Sequence, residues 1–180
     1  MDVASAIPDA VLDLRYATAN NFLGKAVYPV AAAFLRLPTL EKLTKAAERL
    51  RAEGRRLVIF DAYRPLAAQR QFWAAKPDPT YVADPAKGSN HNRASAVDVG
   101  LADKDGKVLP MPSDFDHFGE QAQSSYAGGE APQRERRDAL RRAMEGAGFR
   151  SITSEWWHFT DPEGAAWPLL DFDLELLARK

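Results

Sequence analysis

"GSNHNRASAVDVG", residues 88–100, sets a polar run holding His91 against a short alternating apolar segment with one carboxylate, Asp98, inside it. Burying an unpaired charge is expensive, so Asp98 needs a partner. In a strand, successive side chains point to opposite faces. Residues 95–101 therefore read as a strand in which Asp98 shares a face with Ala96, while Val97 and Val99 point the other way. The valines fill a core, the carboxylate looks into a cleft, and small Ala96 leaves room there for an ion.

The flanking segments frame that strand. "PTLEKLTKAAERLRAEG" (38–54) reads as an amphipathic helix with Thr39 as N-cap and an apolar face of Leu40, Leu43, Ala47 and Leu50; Gly54 suits its stop. "RRLVIFDAY" (55–63) reads as a buried strand with its apolar run from Leu57 to Phe60. Pro65 opens a further helix that Pro77 ends, and residues 132–148 form another that Gly148 closes. "FRSI" (149–152) and "WWHFT" (156–160) read as β-rich, Trp and Phe suiting a half-buried pleated surface. Helices and strands mix without regular βαβ alternation, which predicts an α+β fold: a central antiparallel sheet with helices packed on it.

A chain of 180 residues is long enough for one domain with a real core and short for two. A net charge of −1 gives no electrostatic reason to expect nucleic acid or an anionic membrane as partner. The basic run "RERRDALRR" (134–142) is interrupted by Glu135 and Asp138 and reads as a solvated helix face. Absence of cysteine removes thiol nucleophiles, disulfides and thiolate metal sites together. No signal peptide or membrane-spanning run is legible, so a cytoplasmic protein is expected, or a periplasmic one if a leader is removed. Oligomeric state has no signature in the composition.

The three histidines are His91, His117 and His158. His91 and Asp98 form H-x6-D, and "SEWWHF" puts Glu155 three residues before His158, at the entrance of a bent strand. A catalytic zinc needs three N, O or S ligands and one open position. His91, Asp98 and His158 supply an N, O, N set, and Glu155 stands as a base beside it. Two other assignments use the same residues. One is a Ser–His–Asp hydrolase of Ser89, His91 and Asp98, although no G-x-S-x-G elbow is present; the other puts His117 in place of Asp98.

The ordered set "DAYRP", "SNHNRASAVDVGL" and "EWWHF" resembles the zinc-dependent D-alanyl-D-alanine dipeptidases, within the wider D-Ala-D-Ala metallopeptidases. "RYATANNFLGKAVY" and "PMPSDFDHF" extend the likeness over nearly the whole chain. The resemblance implies a small α+β domain of the kind shared with Hedgehog-like signalling domains, one zinc per chain, and a small dipeptide as substrate. It implies His91, Asp98 and His158 as zinc ligands, Glu155 as general base and acid, and Arg64 at the scissile carbonyl. Asp116 matches the residue that holds the substrate ammonium, and Ser89 and Tyr16 match positions lining the pocket. Phe72 reads as core packing rather than pocket, and Trp156 and Trp157 as core and support. One departure is Ala94, where the family usually has glycine; at positive φ, alanine would cost about 1 kcal/mol or more. A D,D-carboxypeptidase acting on peptidoglycan peptides and an inactive zinc-binding module are the alternative readings.

Overall fold

The computed structural model describes residues 1–179. The helices in chain order are α1 (Val3–Ala6), α2 (Leu37–Ala52), α3 (Leu66–Ala75), α4 (Ala131–Gly146) and α5 (Leu174–Ala178). The strands are β1 (Val11–Leu12), β2 (Arg55–Asp61), β3 (Ala96–Asp103), β4 (Arg150–Ser151) and β5 (His158–Thr160). They form one sheet in the order β1-β2-β3-β5-β4.

Helix α2 buries Leu40, Leu43, Ala47 and Leu50, as the 3.6-residue period predicts, and Ala46 with them. Its start differs from the expected one. Thr39 is not the N-cap; Arg36 holds that position and Pro38 lies in the first turn, where a missing N–H is harmless. Thr39 is instead buried, and its hydroxyl donates to Asp161 Oδ2 at 2.9 Å. At the other end Gly54, at φ +73°, makes the left-handed stop. Helix α4 begins with a capping box between Glu130 and Gln133, which meets two of the amide donors that a helix start leaves unpaired.

The expected all-antiparallel sheet is corrected in one place. β1 runs parallel to β2, so the sheet is mixed; β2–β3, β3–β5 and β5–β4 are antiparallel. Parallel neighbours need a long crossover, and here α2 lies within the segment between β1 and β2. β1 is only two residues long, too short for any alternation to show. Helices α2 and α4 pack together, α2 against β2 and α4 against β3. Residues 96–102 of β3 are buried throughout. Among the described residues no helix is long and apolar enough to cross a membrane.

In the β2–β3 ladder Val58 pairs with Gly100, and Phe60 follows at a β-bulge before Asp61. A Cβ on Gly100 would lie 2.8 Å from Phe60 Cζ, and the Phe60 ring is backed by Phe115, stacked at 4.9 Å. Gly100→Ala should therefore overpack this layer and destabilise the protein by about 1–3 kcal/mol. Urea unfolding should show a lower midpoint with an unchanged slope.

Candidate active site

Strand register assembles the centre. Asp98 on β3 lies directly opposite His158 on β5 and, across the other edge, opposite Asp61 at the end of β2. Cross-strand partners share a face, so residues far apart in sequence converge without any loop having to hold them. His91 arrives from a 3-10 turn, His91–Arg93, just before β3. His158 Nδ1 stands 2.9 Å from Asp98 Oδ1 and 3.1 Å from His91 Nε2. His91 Nε2 is 3.3 Å from the same carboxylate oxygen.

These three atoms suit a metal ion. His91 Nδ1 lies 2.7 Å from the Ala62 carbonyl oxygen. A carbonyl only accepts, so that nitrogen carries the proton and Nε2 presents a lone pair. His158 Nε2 lies 3.0 Å from the Thr160 hydroxyl; donating there leaves Nδ1 its lone pair. Two nitrogen lone pairs and a carboxylate oxygen thus face one another, and a cation reconciles them. Tetrahedral ligands at about 2.0–2.1 Å from an ion stand roughly 3.3–3.4 Å apart, and the observed separations of 2.9–3.3 Å need little adjustment. Outer hydrogen bonds of this kind orient ligating histidines. Burial opposes the charge on Asp98; with no ion between them, positive charge on the His91 and His158 rings and the hydrogen bonds they then donate hold its carboxyl well below the usual carboxylate range.

A cavity of about 360 Å³ opens beside the three residues, and Tyr16, Arg64, Ser89, Asp116 and Glu155 line it with them. Burial pushes the Glu155 carboxyl up to about 7, with the Asp98 charge adding to the rise and His158 and Arg64 opposing it. Asp116 is also pushed up to about 7, mainly by burial. Its Oδ1 accepts from the Tyr16 hydroxyl at 2.8 Å, and its backbone sits at φ +62°. A non-glycine residue held there is strained, and such strain gathers at functional sites. Arg64 is 8% exposed. Its Nε and one terminal nitrogen donate to Asp61 Oδ2 at 3.0 and 2.8 Å, and the other terminal nitrogen donates to Gln69 Oε1 at 3.0 Å. Phe72 packs its ring 4.6 Å from the guanidinium and also lines the cavity, so packing and pocket are one role here. Trp157 lines the cavity too, while Trp156 is held by Ser113, whose hydroxyl oxygen accepts its indole N–H at 3.0 Å.

The two other assignments find no geometry. Ser89 Oγ accepts from the His91 backbone amide at 3.2 Å, and both ring nitrogens of His91 face other groups. His117 lines a neighbouring cavity with Arg15 and Asn20, on the far side of Asp116, and does not line this one. Ala94 does sit at φ +53°, with its N–H bonded to the His91 carbonyl at 3.0 Å, so the conformation glycine would favour is kept with alanine.

Three supporting residues escaped the sequence reading. Asp61, fully buried, accepts from Arg64 and from the Tyr28 hydroxyl at 2.8 Å. Gln69 ties Arg64 to the Ala83 carbonyl, to which its Nε2 donates at 2.7 Å. Asn92 Nδ2 donates to the Arg64 carbonyl at 2.7 Å, and its Oδ1 accepts from the Ser89 amide at 2.7 Å. The signal for Asp61 was present: a carboxylate closing an apolar strand, the same anomaly that singles out Asp98.

The family model described as D-ala-D-ala dipeptidase matches residues 1–174. The chain is 41% identical over 170 residues to a D-alanyl-D-alanine dipeptidase of Escherichia coli, covering 94% of this chain and 88% of the relative. It is 33% identical over 168 residues to one of Enterococcus faecium, covering 82% and 83%. A relative of the same name from Enterococcus faecalis is 32% identical, with the same coverage.

A carboxyl raised from 4.5 to about 7 by burial destabilises the fold as it ionises: the effect is absent below the unfolded value and complete above the folded one. In metal-free protein, Glu155→Gln should therefore be more stable than the parent at pH 8, by up to about 3 kcal/mol, and melt at a higher temperature there, while gaining little at pH 4.5. Thermal melts at the two pH values in the presence of chelator check this; equal gains at both would remove the buried-charge explanation.

Proposed function

The chain belongs to the D-Ala-D-Ala dipeptidase family, and on that premise we propose that it is a zinc metallopeptidase hydrolysing free D-alanyl-D-alanine to two D-alanines, with residues 1–180 acting as one dipeptidase domain. The observation that carries this reading is the convergence of His91 Nε2, Asp98 Oδ1 and His158 Nδ1 to within 3.3 Å of one another, in a cavity that also holds Glu155 and Asp116. Two imidazoles and one carboxylate, with no thiolate, are a donor set that zinc accepts with a position left open.

Bound by these three residues, zinc supplies Lewis acidity and brings the pKa of water toward neutrality. Glu155 takes the proton from the water that attacks the scissile carbonyl carbon. As the C–N bond breaks, it hands that proton to the departing amine. A base working in both directions is best with a pKa near the operating pH, and in the ion-free site burial raises Glu155 toward that range. Arg64 supplies fixed positive charge for the oxyanion of the tetrahedral state; it cannot lose its proton, and Asp61 and Gln69 prevent it from swinging away.

Asp116 is suited to the substrate's ammonium. Its raised pKa records a half-buried carboxylate short of positive charge, and a cation in the cavity would restore its ionisation. Tyr16 fixes its orientation through the 2.8 Å hydrogen bond. Ser89 spends its oxygen on the His91 amide and keeps its own O–H for a substrate oxygen. A site that demands a free ammonium discriminates against N-acylated peptides, which would leave Asp116 buried without a partner.

A time course of D-alanine release from the dipeptide tests the reading. Purified protein should contain about one zinc per chain, and a chelator should abolish release until zinc is restored. Glu155→Gln should retain the metal and turn over at least ~10²-fold more slowly. No release with zinc bound would make the chain an inactive zinc-binding module. Asp116→Ala should lower kcat/KM for D-Ala-D-Ala about 10- to 100-fold more than for its N-acetyl analogue; equal losses, or a parent enzyme that prefers the acylated peptide, would point to a carboxypeptidase.

A further inference from the structure

Arg93 is the charged cavity residue that the mechanism leaves without a task. It closes the 3-10 turn that carries His91 and lines the same cavity. One terminal guanidinium nitrogen donates to the Ser89 carbonyl at 3.2 Å. Its Nε is buried and has no hydrogen-bond partner among the described residues. The other arginine of the cavity, Arg64, is neutralised by Asp61 at 2.8 Å and lies 3.8 Å from Asp98. Arg93 has no carboxylate within ion-pair distance among the described residues, although Asp98, Asp116 and Glu155 line the same cavity.

A guanidinium short of an acceptor, beside a site rich in acids, is complementary to an incoming anion. Leaving an N–H unpaired is costly; Nε itself is enclosed, so the terminal nitrogens are what a planar carboxylate in the cavity meets, in a fork geometry that a single carbonyl does not match. The dipeptide proposed as substrate is a zwitterion whose two charges are only a few bonds apart. Its ammonium has Asp116, held by Tyr16 and the loop around residue 116. Its carboxylate still lacks a charged partner, and the metal-bearing turn offers one.

We propose that Arg93 binds the C-terminal carboxylate of the substrate and thereby sets the enzyme's preference for a free carboxyl end. The proposal rests on the dipeptidase reading above. The turn that orients His91 then also measures the distance from the metal to the end of the peptide. Two features hold that turn: Ala94 in its left-handed conformation, and Asn92, bonded to the Ser89 amide and the Arg64 carbonyl. Arg36 adds a third tie, its Nε donating to the Arg93 carbonyl at 2.9 Å. Arg93 is in this sense a specificity-determining residue; it takes no part in proton transfer.

The test compares D-alanyl-D-alanine with D-alanyl-D-alaninamide, which keeps the ammonium and the scissile bond and loses the terminal charge. The zinc-loaded parent enzyme should prefer the free acid. Arg93→Ala should reduce the ratio of kcat/KM for acid over amide by about 10- to 100-fold, mostly through KM, and Arg93→Lys should recover part of it. Zinc content and melting temperature of each variant separate a folding defect from a lost contact, and Arg93→Gln offers a third side chain of similar length should alanine unfold the turn. An unchanged ratio in stable, zinc-loaded variants, or a parent with no preference for the acid, overturns the role of Arg93 while leaving the dipeptidase reading intact. A parent that releases no D-alanine from either compound overturns both.

Discussion

Everything at the centre of this protein depends on one cross-strand register, that of β3 between β2 and β5. It sets Asp98 opposite His158 on one side and opposite Asp61 on the other. Like charges placed directly across an antiparallel pair repel, and both carboxylates are almost wholly buried. The two are relieved differently. Asp61 is saturated by Arg64, Tyr28 and the Ala62 amide. Asp98 has two imidazoles and only a distant guanidinium, and it is left with a demand for a cation. A slip of one residue in this register would turn Asp98 to the helix-packed face and Val97 to the cavity. The metal site and the hydrophobic core are therefore specified by the same pairing.

The second theme is unspent charge. Asp116 and Glu155 are both pushed up to about 7 by burial, Arg93 has a buried donor without an acceptor, and Asp116 and Ala94 occupy the left-handed region. Each of these works against folding; Asp116, Glu155 and Arg93 line one cavity, and Ala94 closes the turn that brings His91 and Arg93 to it. Natural proteins keep such costs where function requires them. Among the other described residues buried polar side chains are satisfied: Asp161 accepts from Thr39 and Lys42 at 2.9 and 2.6 Å and closes the C-terminal turn onto α2.

Much of this was legible in the chain. The period of α2, the helix at α4 and the apolar runs of β2 and β3 appear where the sequence places them, because each buries a continuous face. Where the reading failed, the cause was local and physical. Thr39 looked like a cap because capping and buried hydrogen bonding use the same hydroxyl; Pro38 pushed the helix start earlier. β1 was invisible because two residues carry no period, and with it went the parallel pair. Asp61 passed unnoticed because "FDAYRP" drew attention to Arg64, whereas the carboxylate three residues earlier is what holds that arginine in place.

The sequence by itself determined the chemistry available: which imidazoles and carboxylates exist, that no thiol competes with them, and that Asp98 sits where an unpaired charge is untenable. It also determined family membership, since the ordered motifs span nearly the whole chain. Only the tertiary structure decided which acids are partnered and which are left waiting. Pairing depends on distances between residues such as Asp61 and Arg64, His91 and His158, or Tyr16 and Asp116, and those distances are set by strand register and by turns whose conformation no linear spacing encodes.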